Sequence, residues 1–76
     1  MVIGINEKDL AFARFIRIRQ EQDDLDRQIK AAMALSNEAL ELGDEKKAER
    51  YTKMAFDLLV KHMDLTGELL EIALKQ

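Results

Sequence analysis

The residue with the widest chemical range in this chain is His62, the only histidine, which lies close to Lys61 and Asp64. A lone imidazole can serve as a general base, a pH-sensitive group or a metal ligand. A zinc site needs further histidine or cysteine ligands, and the sequence has no cysteine and no second histidine. We therefore interpret His62 as a part-buried side chain bonded to Gln22 or to a neighbouring carboxylate. A Gln22 and His62 pair in an apolar seam would help to set register and association state.

The acidic and hydroxyl side chains form no recognisable catalytic pattern. The acidic run consists of Glu21, Asp23, Asp24 and Asp26. It lacks the glycine and the terminal glutamate of a calcium-binding loop, and a solvated helix face is the better interpretation. Ser36 and Thr52 have no histidine in helical register, and no glycine-rich loop is present to hold phosphate. These patterns predict a protein without catalytic activity, cofactor, metal or small-molecule substrate.

A basic section near the start of the chain contains Arg14, Arg17 and Arg19, with Arg27 and Lys30 further along. Such side chains could contact nucleic-acid phosphates, or they could form the polar rim of a protein interface while their stems cover apolar surface. The net charge of the chain is -3, and binding to a phosphate backbone needs clustered positive charge. The rim of a protein interface is therefore favoured, and a nucleic-acid-associated regulator is the alternative.

Length and composition predict one helical domain over residues 1–76 that is stabilised by association. A chain of 76 residues has little core for its surface. Chains of this size are usually stabilised by disulfides, by a metal or by association. The absence of cysteine excludes disulfides and thiolate metal sites, so we expect association. No apolar run approaches the roughly 20 residues that cross a bilayer. The apolar leader 1–5 is too short and too uncharged for a signal peptide, so we expect a cytoplasmic protein that does not enter membranes.

Local signals predict two long helices joined by a tight turn. Asn6 is suited to cap the first helix, and no residue interrupts the pattern until Gly43, which suits the position just after a helix end. Asp44 can then cap the second helix. The helices are expected at about 7–42 and 45–75, with a turn at 43–44, and equal helices joined in this way form an antiparallel hairpin. Gly67 could interrupt the second helix, and Thr66 could then cap a separate short third helix. The unbroken apolar seam favours one continuous helix.

Each predicted helix carries an apolar seam whose members are spaced alternately by three and four residues, the repeat that holds one helix against another. In the first helix the seam consists of Ala11, Phe15, Ile18, Gln22, Leu25, Ile29, Ala32, Ser36 and Ala39. In the second helix it consists of Ala48, Tyr51, Ala55, Leu58, His62, Leu65, Leu69 and Ile72. Folding about Gly43 pairs Ala39 with Ala48 and Phe15 with Ile72. Small residues then meet near the turn and large residues at the open end.

The second helix has more apolar surface than one neighbour can cover. A second seam lies on an adjacent face, and the first helix carries further apolar residues on most sides near its start. A two-helix hairpin has no third layer to cover them, so we expect an interface. The predicted interface residues are Phe12, Phe15, Ile16, Phe56, Leu59, Met63, Leu70 and Leu74. The simplest assembly is a homodimer that forms a four-helix bundle.

One segment resembles a known family. Leu35 to Leu58 contains Gly43-Asp44, Lys47-Ala48, Tyr51, Lys53 and Ala55, and it resembles the turn and second helix of a tetratricopeptide repeat. The resemblance covers about a third of the chain. Each repeat of that family is a helical hairpin, and its hairpins stack and bind peptides. The resemblance therefore implies a helical hairpin.

The sequence as a whole predicts a non-catalytic protein-interaction module, such as an adaptor, regulator or inhibitor that binds another protein through an apolar helical face. Its partners would be a second copy of the chain, another protein, or both. A structural subunit of a larger assembly is a further alternative to the nucleic-acid-associated regulator.

Overall fold

The computed structural model describes residues 6–75, which form two α-helices and contain no β-strand. Helix α1 spans Glu7–Glu41, and helix α2 spans Glu45–Leu74. The two helices pack against each other as an antiparallel hairpin. This confirms the all-α hairpin, and both helices end within one residue of the predicted bounds. The apolar leader 1–5 lies outside the described residues.

Hydrogen bonds at the helix ends explain where the helices start and stop. The Asn6 side chain accepts from the backbone N–H of Lys8 at 2.8 Å, and the Asp44 side chain accepts from Lys47 at 3.1 Å. Gly43 has a φ of 77°, a left-handed conformation that suits glycine. The N–H of Gly43 donates to the carbonyl of Leu40 and that of Asp44 to the carbonyl of Ala39. These two bonds form a Schellman motif, which ends α1 and reverses the chain.

Burial follows the predicted seams closely. Every buried or half-buried residue between 6 and 75 belongs to one of the two seams. Phe15, which is 36% exposed, is the most open seam residue. The seam of α2 passes Gly67 without a break, and α2 continues to Leu74 as one helix. The preference for two helices over three is therefore confirmed.

The fully buried part of the interface is small. Its apolar members are Ile18, Ala32, Ala39, Ala48, Ala55 and Ile72. Four of these six are alanines, and all four lie in the half of the hairpin near the turn. Because alanine adds only a methyl group, the helices can approach closely there. The bulkier residues of the open end pack less completely, as the exposure of Phe15 indicates.

The hairpin is elongated and exposes much of its surface. Its Cα atoms extend over 65 × 24 × 11 Å, with a radius of gyration of 18.0 Å. A compact domain of this length would have a radius of gyration of about 11 Å. The accessible surface is 6487 Å², whereas a compact monomer of this mass would expose roughly 4,800 Å². Within residues 6–75, neither helix has a stretch that is long and apolar enough to cross a membrane.

Candidate protein-interaction face

A second heptad-like row on α2 lies outside the hairpin seam. Its members are spaced alternately by four and three residues, and none is charged. This outer row consists of Thr52, Phe56, Leu59, Met63, Thr66, Leu70 and Ala73. At 1.5 Å per residue it is about 32 Å long, and at 100° per residue it lies roughly a third of a turn from the seam. The row therefore forms an uncharged strip along one side of the hairpin.

The large side chains of the outer row are open to water. Phe56 is 65% exposed, Met63 63% and Leu70 60%, while Leu59 is 44% exposed. Leu74, the last residue of α2, follows Leu70 by one turn and is the most exposed large apolar residue between residues 6 and 75. Isolated apolar residues on a surface are ordinary, but a contiguous strip of them marks an interface.

Helix α1 extends this surface in the half of the hairpin near the turn. Met33 and Leu40 of α1 line one groove together with Phe56 and Leu59 of α2. Met33 and Leu40 are seven residues apart and both are exposed, so they lie in one row along α1. Sequence reasoning did not include these two residues. The seven-residue spacing was visible, but only the packed hairpin shows that this side of α1 borders the outer row.

A second groove lies at the open end on the same side of the hairpin. Phe12 and Phe15 of α1 line it with Ile72 and Ala73 of α2. Ala73 belongs to the outer row, and Phe12 is 21 residues, or six turns, before Met33. The structure therefore brings Phe12 into line with the second seam. Ile16, also exposed, lies one turn further along α1. We call this whole side, with its two grooves and the outer row, the apolar face.

A polar band crosses the middle of the apolar face. Gln22 is 2% exposed, the lowest value for a large side chain. Its Nε2 donates to Thr66 Oγ1 at 2.7 Å and to the backbone carbonyl of His62 at 3.3 Å. Its Oε1 accepts from Arg19 Nη1 at 3.1 Å. The amide group is thus fully used inside the hairpin, and it ties α1 to α2 at one register.

His62 pairs with Asp26. The distance between His62 Nε2 and Asp26 Oδ1 is 3.1 Å, and the histidine side chain is largely covered while that of Asp26 is half exposed. The histidine therefore uses a carboxylate of α1, one of the two kinds of partner that the sequence left open. Gln22 reaches only the backbone of His62. The two residues predicted to set register are neighbours, but their side chains act through separate bonds.

The two threonines of the outer row use their hydroxyl groups inside the hairpin. Thr66 Oγ1 also donates to the carbonyl of His62, and Thr52 Oγ1 lies 2.7 Å from Ser36 Oγ and 2.9 Å from the carbonyl of Ala48. A partner that covered the outer row would therefore leave neither hydroxyl without a hydrogen bond. Sequence reasoning did not place Thr52 and Thr66 in the second seam, although their four-three spacing with Phe56 and Met63 was the available signal.

The opposite side of the hairpin is more polar in its middle section. The groove there is lined by Glu21, Asp24, Leu25, Gln28, Lys61, Asp64 and Leu65. Nearer the turn, Leu35 and Leu42 lie with Lys47 and Tyr51 in a further groove. Charged groups interrupt both regions, in contrast to the outer row. The hairpin therefore has one side with a continuous uncharged strip and one side without it.

The three arginines predicted as a polar rim lie on two sides of α1, with Arg14 and Arg17 on one side and Arg19 on the other. All three are exposed. Arg19 is seven residues from Phe12 and borders the apolar face, where it is bonded to Gln22. Arg14 and Arg17 are five and two residues before Arg19, which places them well away from it around the helix. The three side chains do not form a single basic surface.

The part of the chain that the structure describes has no cluster of metal-binding side chains. Between residues 6 and 75, no three His, Asp or Glu side chains lie close enough to hold a metal ion. Over the same residues, no buried side-chain polar atom lacks a hydrogen-bond partner.

Comparison of the chain with protein-family models, curated proteins and solved structures found no match. The resemblance to a tetratricopeptide hairpin consequently rests on the residues of 35–58 alone.

Proposed function

We propose that this protein is a non-catalytic protein-interaction module that acts by presenting its apolar face to another polypeptide. The observation that carries the proposal is the uncharged outer row of α2, with Phe56, Met63 and Leu70 each more than half exposed. Exposed aromatic, methionine and leucine side chains of this kind bind protein surfaces because their removal from water is favourable, at roughly 25 cal/mol per Å².

The shape of the hairpin supports association as a condition of its stability. Two helices contact each other only along one seam, and the buried apolar residues of that seam are mainly alanines. The excess of exposed surface over a compact monomer is on the order of 1,700 Å². A homodimer that joins two hairpins into a four-helix bundle would cover the apolar face and supply the missing layer. A regulator, adaptor or inhibitor could use the same face for a different protein after the dimer dissociates.

The experiment is a measurement of molar mass by light scattering over a range of concentrations, with helicity followed by circular dichroism. The wild-type chain is expected at twice its mass of 8.8 kDa at micromolar concentration, with loss of helicity on dilution. The double variant Leu59→Glu, Met63→Glu is expected at the monomer mass because it places two charges on the outer row.

A matched control places the same two charges elsewhere. Leu35 and Met54 are about as exposed as Leu59 and lie outside the apolar face. The variant Leu35→Glu, Met54→Glu should keep the dimer mass. A wild-type chain that is a well-folded monomer at all concentrations would contradict the need for association, and equal loss of mass in both variants would contradict the choice of face.

A further inference from the structure

We infer that the apolar face is covered by a second copy of the chain with its turn at the opposite end, so that α2 packs antiparallel on α2 of the second copy. The inference rests on the proposed function and specifies its geometry. Two hairpins can stack face to face about a twofold axis in two ways. With both turns at one end, α1 lies over α2 of the other copy. With turns at opposite ends, each helix lies over its own equivalent.

The register of the hairpin decides which residues would meet in each arrangement. Three contacts join α1 to α2 at one consistent register: Gln22 with Thr66, Asp26 with His62, and Ser36 with Thr52. Residues 19–30 of α1 therefore lie level with residues 58–69 of α2. On the side of the apolar face, that part of α1 carries four charged side chains, namely Arg19, Asp23, Asp26 and Lys30.

The arrangement with both turns at one end would bury charges against apolar surface. It would place the segment 19–30 over Leu59, Met63 and the residues between them on the other copy. Charged side chains of α1 would then lose water and face side chains that cannot hydrogen-bond to them, which is costly. The uncharged outer row would have no apolar partner over about its central half.

The arrangement with turns at opposite ends separates the two kinds of surface. The outer row, uncharged from Thr52 to Ala73, then meets its own equivalent along its whole length. The charged section of α1 then lies over its own equivalent, so no charged side chain is placed over the outer row. With the twofold axis at Met63, Phe56 lies level with Leu70 of the second copy.

The area available is close to that of a stable dimer. The outer row is about 32 Å long, and two helices of about 10 Å diameter packed about 10 Å apart are roughly 20 Å wide. The projected face is on the order of 600 Å² per copy, at the lower end of the usual contribution of one partner to a specific interface. The hydroxyls of Thr52 and Thr66 are already bonded within the hairpin, so covering them leaves neither hydroxyl unpaired.

The test uses distances between spin labels in the full chain, which has no cysteine of its own. A single label at Lys46→Cys, an exposed residue beside the turn, reports the distance between the two turns. Seventeen residues separate Lys46 from Met63, so opposite ends predict a label distance of about 50 Å. Turns at the same end predict about 25 Å or less, since packed helices are about 10 Å apart.

A cross-linking measurement tests whether the twofold axis of the dimer passes near Met63. Met63→Cys should form a disulfide-linked dimer under mild oxidation, because the two copies meet at this residue. The control Met54→Cys is similarly exposed but lies off the face, and it should cross-link at least tenfold more slowly. A label distance near 50 Å with selective cross-linking at residue 63 supports the inference. A dimer with a distance near 25 Å overturns the geometry alone, and a monomer with no label coupling overturns both the geometry and the proposed function.

Discussion

The half of the hairpin near the turn and the open half hold their helices together in different ways. Near the turn, alanines pack between the helices and Ser36 bonds across them to the carbonyl of Ala48. At the open end, Ile18 and Ile72 are buried but Phe15 remains partly exposed, and no turn joins the helices. Close backbone approach stabilises the first half within one chain. The second half has larger side chains than two helices can enclose.

This difference indicates where an added layer would contribute most. The Gln22 bonds lie between the two halves and join the helices where the apolar packing is thinnest. On the outside of both halves, the apolar face is left uncovered. A hairpin of this kind keeps its fold near the turn by itself and gains at the open end only when another layer is added.

The largest effect should come from disturbing the close approach near the turn. Ala39→Leu adds bulk between helices that have no space for it, and we expect it to lower the free energy of unfolding by about 3 kcal/mol. Urea unfolding followed by circular dichroism measures this. Ala34→Leu, on an exposed part of α1, is the control and should change stability by less than about 0.5 kcal/mol. Equal effects in both variants would show that the turn half is not tightly packed.

The second-largest effect on stability is expected at Gln22, which lies between the two halves of the hairpin. Gln22→Ala removes the amide that bonds to Thr66, His62 and Arg19. We expect a loss of about 2 kcal/mol, because a cavity forms and buried partners lose a hydrogen bond. Urea unfolding of this variant is compared with that of Gln20→Ala, whose side chain is exposed. A loss no greater than in the control would mean that water replaces the amide without cost.

The same site tests the specificity hypothesis from the sequence. The double variant Gln22→Leu, His62→Leu should be more stable to urea and should populate more than one assembly state by light scattering, because polar groups in a seam select one register. If the variant were more stable and kept a single unchanged mass, the residues would have no role in specificity.

A smaller effect is expected at Gly67, which lies on the side of α2 opposite its seam. Gly67→Ala should raise the free energy of unfolding by about 1 kcal/mol, because the hairpin offers space for the added methyl group. We expect the same gain at every protein concentration, since residue 67 lies outside the outer row. Unfolding by urea at several protein concentrations measures this. A gain that shrinks as the protein concentration rises would place Gly67 in an interface.

The smallest effect is expected for the contact between His62 and Asp26. Asp26→Ala removes the partner of His62, but the Asp26 side chain is half exposed. Pairs of this kind contribute little, so the free energy of unfolding should change by less than about 0.5 kcal/mol. A loss above 1 kcal/mol in urea unfolding at moderate salt would show that this pair joins the helices as strongly as Gln22 does.

The helix bounds and the hairpin seam could be predicted because they depend on local chemistry. Asn6 and Asp44 cap helices through bonds to residues two or three positions away, and Gly43 ends α1 through its own left-handed conformation. The four-three spacing of apolar residues required only helical geometry. For the same reason, the exposed residues Phe56, Leu59, Met63, Leu70 and Leu74 could be assigned to a second seam.

The members of the face contributed by α1 were less predictable. Phe12 and Ile16 were assigned to an interface, but Met33 and Leu40 were not, because an isolated pair at seven-residue spacing has no orientation until the helices are packed. The bonding of Gln22 to Thr66 and of His62 to Asp26 likewise depends on side-chain positions across the hairpin. Spacing along one helix cannot distinguish such partners when several polar groups lie at nearly the same level.

Sequence alone was sufficient for the two helices, the turn between them and the seam that joins them, because caps, glycine conformation and periodicity act over a few residues. The tertiary structure decided that the outer row of α2, the Met33 and Leu40 row of α1 and Phe12 lie on one side, with a polar band across its middle. That outcome depends on how two helices are rotated and aligned against each other. Such alignment arises from contacts between residues far apart in the chain, which no local pattern contains.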